Sequence, residues 1–294
     1  MPESMAGPAG SRCVDAPVVS RVAITLGPMR IARFVTAGSD PAFGIVELAA
    51  DHGDHPDTIA GITGDPVAAP VQYTGARHDL ADVRLLSPVI PRSKIIGIGR
   101  NYTEHASELG NEVPSRPLLF LKPNTSVIGP DEAIVRPAAS SNLHYEGELA
   151  IVIGRICKDV PEERAQEVIF GFTAANDVTA RDMQNSDGHW VRAKGADTFC
   201  PLGPWMVTHF SIAEASHRQI VTRLDGEEVQ HGNTGQMIHT IPKLISYVSS
   251  CMTLLPGDVL LTGTPVGVGP MEPGQRVEVE IEGIGTLANT VVEV

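Results

Sequence analysis

Alternating hydrophobic and polar positions dominate the chain. The segment RVEVEI, residues 276–281, alternates charged and branched apolar side chains before a turn at Gly283. In VTRLDGEEVQ, residues 221–230, Asp225 and Gly226 separate two alternating segments, which is a strong signal for a β-hairpin. Shorter apolar runs such as RIARFV and FGIVELA are interrupted by Gly, Asp or Pro. The pattern predicts a chain built mainly from short strands.

Helical signals are confined to three short segments. One surrounds Glu104 to Leu109, PEERAQEVIF has Pro161 near its first turn, and IPKLISYVSSCM begins at Ile241. Because strands and helices do not alternate regularly, the predicted class is α+β and mostly β. The two prolines of LLSPVIPRS indicate a linker. We therefore expect residues 1–28 to be a leader that is disordered or a misassigned start, residues 29–92 a small N-terminal β-rich domain, and residues 93–294 a larger domain.

Composition and charge limit the possible partners of the chain. Its 294 residues include 35 acidic and 22 basic ones, which gives a formal net charge of −13 and a pI near 5.2. This balance opposes attraction to nucleic acid or to anionic lipid, so we expect neither partner. The N-terminus has no secretory signal pattern and no later run is long enough to span a bilayer, so the expected location is cytoplasmic. The four cysteines lack a CxxC spacing and are expected to be reduced.

The segment HYEGELAIVIG, residues 144–154, places two carboxylates at the start of an apolar run. Alternate side chains of a strand share one face, so Glu146 and Glu148 are neighbours on the same face. Two like charges held that close repel, and burial raises their pKa values unless a cation lies between them. A bound metal is one explanation, and a solvated strand face is the other.

A third carboxylate lies at the end of another apolar segment. In IFGFTAANDVTARDMQ, Asp177 follows a run of small residues, and Thr179 to Asp182 matches a helix capping box. Glu146, Glu148 and Asp177 together would form a site of oxygen ligands, which suits Mg²⁺ or Mn²⁺ better than zinc. Alternatively, Asp177 merely ends a strand.

The segment GRNYTEHASELG, residues 99–110, carries a candidate general base. His105 and Glu108 are three residues apart on one predicted helical face, so the carboxylate can orient the imidazole while the other ring nitrogen takes a proton from water. Asn101 and Glu104 match a second capping box. The alternative is a surface His-Glu pair of the kind found on many helices.

Three cationic or polar residues follow Asp177 in the sequence. Arg181 could bind a substrate carboxylate together with Gln184, and Lys194 could stabilise a developing oxyanion. Each could equally be an ordinary surface residue. The glycine-rich segment LLTGTPVGVGP, residues 260–270, exposes backbone N–H groups that could hold a carboxylate, although it matches no nucleotide-binding motif.

Six segments, in this order, resemble motifs of the fumarylacetoacetate hydrolase (FAH) family over residues 93–294. They are GRNYTEHASELG, FLKP, HYEGELAIVIG, GFTAANDVTARDMQ, the stretch 194–204 and LLTGTPVGVGP. The resemblance implies a mixed β-roll with a smaller N-terminal β-rich domain and a homodimer. It identifies the expected metal ligands, catalytic residues and substrate-binding residues, which are Glu146, Glu148 and Asp177; His105, Glu108 and Lys194; and Arg181, Gln184 and Thr264. Tyr102 and Lys122 are weaker matches and stay outside the catalytic set.

The resemblance also implies the chemistry. With Mg²⁺ or Mn²⁺ as cofactor, the expected reaction is hydrolytic C–C cleavage of a small-molecule 2-oxo acid, an acylpyruvate such as fumarylpyruvate, through a metal-bound pyruvate enolate. The presence of both His105 and Glu108 favours a hydrolase that activates water. The alternatives are a 2-hydroxyhepta-2,4-diene-1,7-dioate isomerase of aromatic catabolism, an oxaloacetate decarboxylase or a tautomerase. A non-catalytic, metal-stabilised binding module is the remaining reading. Glu112, Arg116 and His189 are candidates for recognising a second carboxylate.

Overall fold

The computed structural model describes residues 29–53, 55–104 and 114–293, which are rich in strands. The strands are β1 (Arg30–Val35), β2 (Ala42–Glu47), β3 (Thr58–Ile62), β4 (Tyr73–Asp79), β5 (Arg84–Leu86), β6 (Ile95–Gly99), β7 (Leu118–Lys122), β8 (Val127–Ile128), β9 (Ile134–Arg136), β10 (Leu143–Tyr145), β11 (Gly147–Ile153), β12 (Ile169–Asn176), β13 (Thr179–Ala180), β14 (Cys200–Val207), β15 (Gln219–Leu224), β16 (Glu227–Asn233), β17 (Val259–Leu261), β18 (Gly269–Met271), β19 (Arg276–Ile281) and β20 (Gly285–Glu293).

Helices in the same part of the chain are few and mostly short. The α-helices are α1 (Ala49–His52), α2 (Arg181–Ser186), α3 (Val191–Lys194), α4 (Ile212–Ala215) and α5 (Ile241–Cys251). The 3₁₀ helices of these residues are Leu80–Asp82, Asn124–Ser126, Glu162–Val168 and Thr234–Gln236. None of these helices is long and apolar enough to cross a membrane.

The strands of the described residues form three sheets. The largest follows the order β4-β3-β2-β1-β14-β12-β11-β17-β6-β7, with β5 beside β1 and β8 beside β14. A five-stranded sheet has the order β16-β15-β19-β20-β9, and a three-stranded sheet has the order β13-β10-β18. Most pairs are antiparallel, whereas β6 with β17, β8 with β14 and β9 with β20 are parallel. This arrangement confirms the predicted α+β, mostly β class and its mixed β architecture.

The strand β11 explains the apolar run that follows the two glutamates. Its side chains alternate between two hydrophobic clusters, with Leu149, Ile151 and Ile153 in one and Ala150 and Val152 in the other. A strand buried on both faces reads as a continuous apolar run, because neither face meets water. β11 pairs with β12 on one side and β17 on the other, so it lies inside the large sheet.

Several predicted elements are confirmed, and one differs in type. Asp225 and Gly226, with φ values of 52° and 84°, form the predicted turn between β15 and β16, and α5 begins at Ile241. The helix predicted over PEERAQEVIF is instead a 3₁₀ helix over Glu162–Val168. It ends there because Ile169 already pairs with Ile153 of β11, so the sheet takes the last residues of the segment.

The N-terminal strands are joined to the rest of the fold through β1, which pairs with β14 as well as with β2 and β5. The division into domains near residue 92 stays a prediction. The expected leader, residues 1–28, and most of the helix expected around Glu104 to Leu109 lie outside the described residues. Among the described cysteines, Cys157, Cys200 and Cys251 are free, as predicted.

Candidate active site

Three carboxylates converge where β11 begins and β12 ends. The antiparallel register pairs Gly147 with Asn176, and the backbone N–H of Asp177 donates to the carbonyl of Glu146 at 2.8 Å. Glu146, Glu148 and Asp177 are all buried, and each offers a carboxylate oxygen within 4.8 Å of the others. Gly147 separates the two glutamates because a Cβ atom at this position would collide with the hydroxyl of Thr222. The strand therefore needs a glycine between its two carboxylates.

Two buried lysines neutralise part of this charge. Nζ of Lys194 lies 2.8 Å from Oε2 of Glu146 and 2.7 Å from Oδ2 of Asp177. Nζ of Lys122 donates to Oδ1 of Asp177 and, at 3.2 Å, to the carbonyl of Val178. Lys194 lies at the end of α3 and Lys122 at the end of β7, so two elements distant in sequence supply the cations.

The start of α2 supplies a third cation. NH2 of Arg181 donates to Oε1 of Glu146, and NH1 donates to Oε1 of Gln184 at 2.6 Å. Nε of Arg181 is buried and has no hydrogen-bond partner among the described residues. Two of the three guanidinium nitrogens thus fix its plane, and the third remains available to a ligand.

The capping box predicted at Thr179 to Asp182 is wrong. Helix α2 begins at Arg181 with Ala180 as its N-cap. The hydroxyl of Thr179 instead donates to the carbonyl of Asp177 at 2.8 Å and lies 3.2 Å from Oε1 of Glu146. The Asp182 carboxylate accepts from the hydroxyl of Ser140 and the backbone N–H of Ser141, each at 2.8 Å. Thr179 therefore contacts the triad and Asp182 binds the segment before β10, and the two do not form the predicted capping box.

The glycine-rich segment does bind a carboxylate, and the carboxylate belongs to this chain. The backbone N–H of Gly263, a residue with φ of 95°, donates to Oε2 of Glu148 at 2.6 Å. Next to it, the hydroxyl of Thr264 accepts from Nε2 of Gln230 at 2.9 Å, while Oε1 of Gln230 accepts from the N–H of Gly147 at 3.0 Å. Gln230 therefore connects Thr264 to the strand that carries the glutamates.

Burial and neighbouring charges shift the pKa values of Glu148 and Lys194. Burial raises the pKa of Glu148 well above its ordinary value, and the charges of Asp177 and Glu146 raise it further. Burial by itself lowers the pKa of Lys194, but the attraction of Asp177 and Glu146 outweighs it, so the pKa of this lysine is raised. The site therefore keeps Lys194 charged and favours a further positive charge beside Glu148.

The cluster forms part of the lining of a cavity of about 320 Å³. The lining combines the acidic triad, cations, amides and two aromatic rings: Ile98, Gly99, Arg100, Phe120, Asn142, Glu146, Glu148, Asp177, Arg181, Gln184, Asn185, Trp190, Lys194 and Thr264. We call the triad with Lys194 and Arg181 the floor of this cavity; Lys122 is bound to Asp177 but does not line the cavity. A small organic acid is of the right size for such a cavity.

Strand β6 makes room for the aromatic part of the lining. A Cβ atom at Gly97 would overlap the ring of Phe120, and one at Gly99 would lie 2.8 Å from the ring of Trp190. The two rings pack edge to face with centroids 5.6 Å apart. Arg100, with φ of 58°, follows directly and places its guanidinium 6.0 Å from the centre of the Trp190 ring. We call Phe120, Trp190 and Arg100 the wall.

The structure brings together most of the residues that the sequence singled out. Seven of them line one cavity: Glu146, Glu148, Asp177, Arg181, Gln184, Lys194 and Thr264. The catalytic dyad His105 and Glu108 lies outside the described residues, as does Glu112, so its placement stays a prediction. Arg116 and His189 are exposed and do not line the cavity.

Sequence reasoning missed part of the site. Lys122, left outside the catalytic set, contacts Asp177 directly, and its signal was a lone lysine at the end of the apolar strand LLFLK. Asn101 binds the backbone at His239 and Thr262 through its carboxamide, a contact that its predicted capping role did not suggest. Arg100 and Trp190 carried no signal, because their neighbours in the cavity come from distant segments.

The donor set fits a divalent cation. Two ligands of one Mg²⁺ or Mn²⁺ ion lie at most about 4–4.5 Å apart, close to the spacing of the triad. All three donors are carboxylates, which suit these hard ions, and burial together with the neighbouring carboxylates raises the pKa of Glu148, a shift that a bound cation would oppose. Glu146, Glu148 and Asp177 are therefore the residues that would hold the ion.

Comparison with known families agrees with the fold. The model of the fumarylacetoacetate (FAA) hydrolase C-terminal family matches residues 94–292, and that of the Rv2993c-like N-terminal family matches residues 29–88. The chain belongs to the fumarylacetoacetate hydrolase family, whose members include hydrolases and isomerases.

Individual relatives cover most of the chain. Protein Rv2993c of Mycobacterium tuberculosis is 52% identical over 80% of this chain and 88% of its own length. The crystal structure of a 5-carboxymethyl-2-hydroxymuconate delta-isomerase from Mycobacterium smegmatis is 48% identical, with a TM-score of 0.81, and the match covers 90% of this chain and all of that one. A fumarylpyruvate hydrolase from Pseudomonas aeruginosa, solved in complex with Mn²⁺ and pyruvate, is 32% identical, with a TM-score of 0.64, over 72% of this chain and 92% of its own.

Proposed function

We propose that the chain is a divalent-metal-dependent hydrolase that cleaves the C–C bond of an acylpyruvate such as fumarylpyruvate. One observation carries this proposal: three buried carboxylates meet Lys194 and Arg181 at the floor of a single cavity, and Lys122 is bound to one of these carboxylates. The Mn²⁺ and pyruvate held by the fumarylpyruvate hydrolase relative support the same substrate class. A homodimer in the cytoplasm is part of the proposal: the homodimer rests on the family resemblance, and the location rests on the sequence pattern.

The floor supplies binding and charge. Mg²⁺ or Mn²⁺ held by the triad would act as a Lewis acid on the ketone of the 2-oxo acid. Arg181 offers its unpaired Nε–H to the substrate carboxylate, in a plane fixed by Glu146 and Gln184. Lys194, kept charged by its two carboxylate partners, stabilises the negative charge that develops on the substrate oxygens.

Water activation falls to His105, oriented by Glu108, on the basis of the family resemblance. The imidazole takes a proton from water, and the water oxygen bonds to the C4 carbonyl carbon. The C3–C4 bond then breaks, and its electron pair stays on C3 as the enolate of pyruvate. The proton held by His105 passes to C3, which completes pyruvate, and the other half leaves as a carboxylic acid.

A second candidate is the isomerisation of a 2-hydroxydienedioate, and the 48% identical relative, a 5-carboxymethyl-2-hydroxymuconate delta-isomerase, favours it. It uses the same floor to stabilise a dienolate, but it moves a proton between substrate carbons and consumes no water. Decarboxylation of oxaloacetate also needs no attacking water.

Turnover on three substrates separates these reactions. Purified protein is assayed with Mg²⁺, Mn²⁺ or EDTA on fumarylpyruvate, on oxaloacetate and on 2-hydroxyhepta-2,4-diene-1,7-dioate. Metal-dependent release of pyruvate and fumarate supports the hydrolase, whereas a shifted diene absorbance without cleavage supports the isomerase. No turnover of any of the three in either metal would leave only a binding module.

A variant of the proposed base tests the role of water. We expect His105→Ala to remove hydrolysis and to spare much of any oxaloacetate decarboxylation, because only the first reaction needs an activated water. His217→Ala, which replaces an exposed histidine outside the cavity lining, is the matched control. Equal loss of both activities in His105→Ala would refute this division of labour.

A further inference from the structure

The wall of the cavity is connected to the floor by a continuous row of side chains. Nζ of Lys194 lies 5.0 Å from the centre of the Phe120 ring, and this ring contacts Trp190 edge to face. The other end of the row is the Arg100 guanidinium beside Trp190. Two aromatic rings thus separate a cation at the floor from a cation at the wall, in a cavity that both cations line.

Arg100 has no ionic partner in the part of the chain that the structure describes. Its guanidinium lies over the Trp190 ring, at the outer limit of a cation–π interaction. The other cations of the cavity differ, since Lys194 and Arg181 are both bound to the triad carboxylates. Among the described residues, the guanidinium of Arg100 therefore binds no carboxylate of the protein, whereas that of Arg181 has only its Nε–H unpaired.

The backbone at Arg100 is also unusual. Its φ of 58° lies in the left-handed region, which costs a residue with a Cβ atom more than it costs glycine. The preceding residue, Gly99, is kept small by the Trp190 ring. The chain thus turns directly after β6 in a way that places the arginine side chain over the tryptophan.

The charge of the cavity points to the ligand. At the floor, three carboxylates face Lys122, Lys194 and Arg181, so a divalent cation would leave two uncompensated positive charges and Arg100 would add a third. A bound monocarboxylic 2-oxo acid would compensate one of these positive charges, whereas a dicarboxylic one would compensate two. An apolar tail against Arg100 would also remove water from an unpaired guanidinium, which is costly.

On these grounds we propose that Arg100, positioned by Trp190, binds the distal carboxylate of the substrate and thereby selects dicarboxylic over monocarboxylic 2-oxo acids. The inference rests on the proposed function, because it requires the 2-oxo-acid end to bind at the floor. A planar guanidinium can hold a carboxylate through two parallel hydrogen bonds, which gives direction as well as affinity.

Binding of two matched acids tests the proposal without turnover. 2-Oxoadipate and 2-oxohexanoate have the same six carbons and differ only in a terminal carboxylate or methyl group. Isothermal titration in saturating Mg²⁺ measures both dissociation constants for the wild type, for Arg100→Gln and for Arg100→Lys. Arg155→Gln, which removes an exposed arginine outside this cavity, is the charge-matched control.

We expect the wild type and Arg155→Gln to bind 2-oxoadipate about 10- to 100-fold more tightly than 2-oxohexanoate. Arg100→Gln should lose most of this preference and keep its affinity for 2-oxohexanoate, whereas Arg100→Lys should retain part of it, because the charge remains but the planar fork does not. Circular dichroism and the melting temperature establish that each variant is folded.

The outcomes separate this inference from the proposed function. If both acids bind in Mg²⁺ but the wild type shows no preference, or if Arg100→Gln retains it, the role of Arg100 is refuted and the floor stands. If neither acid binds in a metal-dependent way, the proposed function fails and the inference fails with it.

Discussion

Two buried carboxylate sites in this protein use their charge in opposite ways. Asp258, which precedes β17, is fully buried and accepts four hydrogen bonds: from the Ser93 hydroxyl and Nζ of Lys94, both at 2.6 Å, and from the backbone N–H groups of Leu255 at 2.8 Å and Lys94 at 3.2 Å. It fastens the start of β6 to β17, and it lies outside the lining of the cavity.

The acidic triad has comparable burial but a different environment. Its three carboxylates crowd one another, and three separate elements, β7, α2 and α3, supply their cations. Asp258, in contrast, is paired with the single cation of Lys94. A single carboxylate satisfied by its neighbours holds strands together, whereas crowded carboxylates beside a cavity retain a capacity to bind a cation. Crowding and access, rather than burial alone, distinguish a candidate site from a structural ion pair.

The largest contrast is expected in activity. Glu148→Gln should lower kcat/KM at least about 10³-fold, because it removes one charged ligand from the triad. The amide oxygen can still accept the N–H of Gly263, so the free energy of unfolding in EDTA should be unchanged or higher, since one repulsive charge is gone. Activity assays and thermal unfolding in EDTA measure the two effects. Retention of more than about a tenth of the activity would contradict the assignment of Glu148.

At Asp258 we expect a loss of stability with little change in activity. Asp258→Asn should lower the free energy of unfolding by about 3 kcal/mol, because it leaves Lys94 and its neighbours without their shared acceptor. Below the unfolding transition, kcat should stay within about twofold of the wild type. Glu167→Gln, which breaks an exposed pair with Arg164, is the control and should change stability little. Urea unfolding measures all three proteins, and a large loss of kcat in folded Asp258→Asn would break the comparison.

Metal addition should stabilise the protein through the triad alone. At a Mg²⁺ concentration of 100 times its dissociation constant, the free energy of unfolding should rise by about 2.7 kcal/mol relative to EDTA. Asp258→Asn should keep this increment and Glu148→Gln should lose it. The readout is thermal unfolding with and without metal, and an equal increment in both variants would show that Mg²⁺ binds elsewhere.

The smallest expected effect is on stability, where Lys122 and Mg²⁺ both supply positive charge to the carboxylate of Asp177. Lys122→Met keeps the buried volume but removes a cation from Asp177, so in EDTA the protein should lose about 1–2 kcal/mol of stability. Mg²⁺ should then stabilise the variant more than it stabilises the wild type, because the ion replaces the missing charge. Comparing the two metal increments by thermal unfolding tests this, and a smaller increment in Lys122→Met would be evidence against it.

Much of this protein could be predicted from local sequence. The alternation of RVEVEI, the Asp225-Gly226 turn and the helix from Ile241 are local signals, and the structure confirms each. The mostly β class followed from the same signals. At PEERAQEVIF and at Thr179 the local signals were misleading, because pairing between β11 and β12 and the contact with Glu146 override them.

The candidate site shows where such reasoning ends. The sequence by itself determined that Glu146 and Glu148 lie two residues apart at an apolar strand and that Asp177 follows a strand, since both come from the two-residue period and from strand length. The predicted strand is wrong in one detail, because β10 ends at Tyr145 and β11 begins at Gly147, so Glu146 lies between the two strands. Only the tertiary structure decided that these carboxylates meet Lys122, Lys194 and Arg181, and that Arg100 shares their cavity. These contacts join segments far apart in the chain, and their partners are chosen by strand register and packing, which no local pattern encodes.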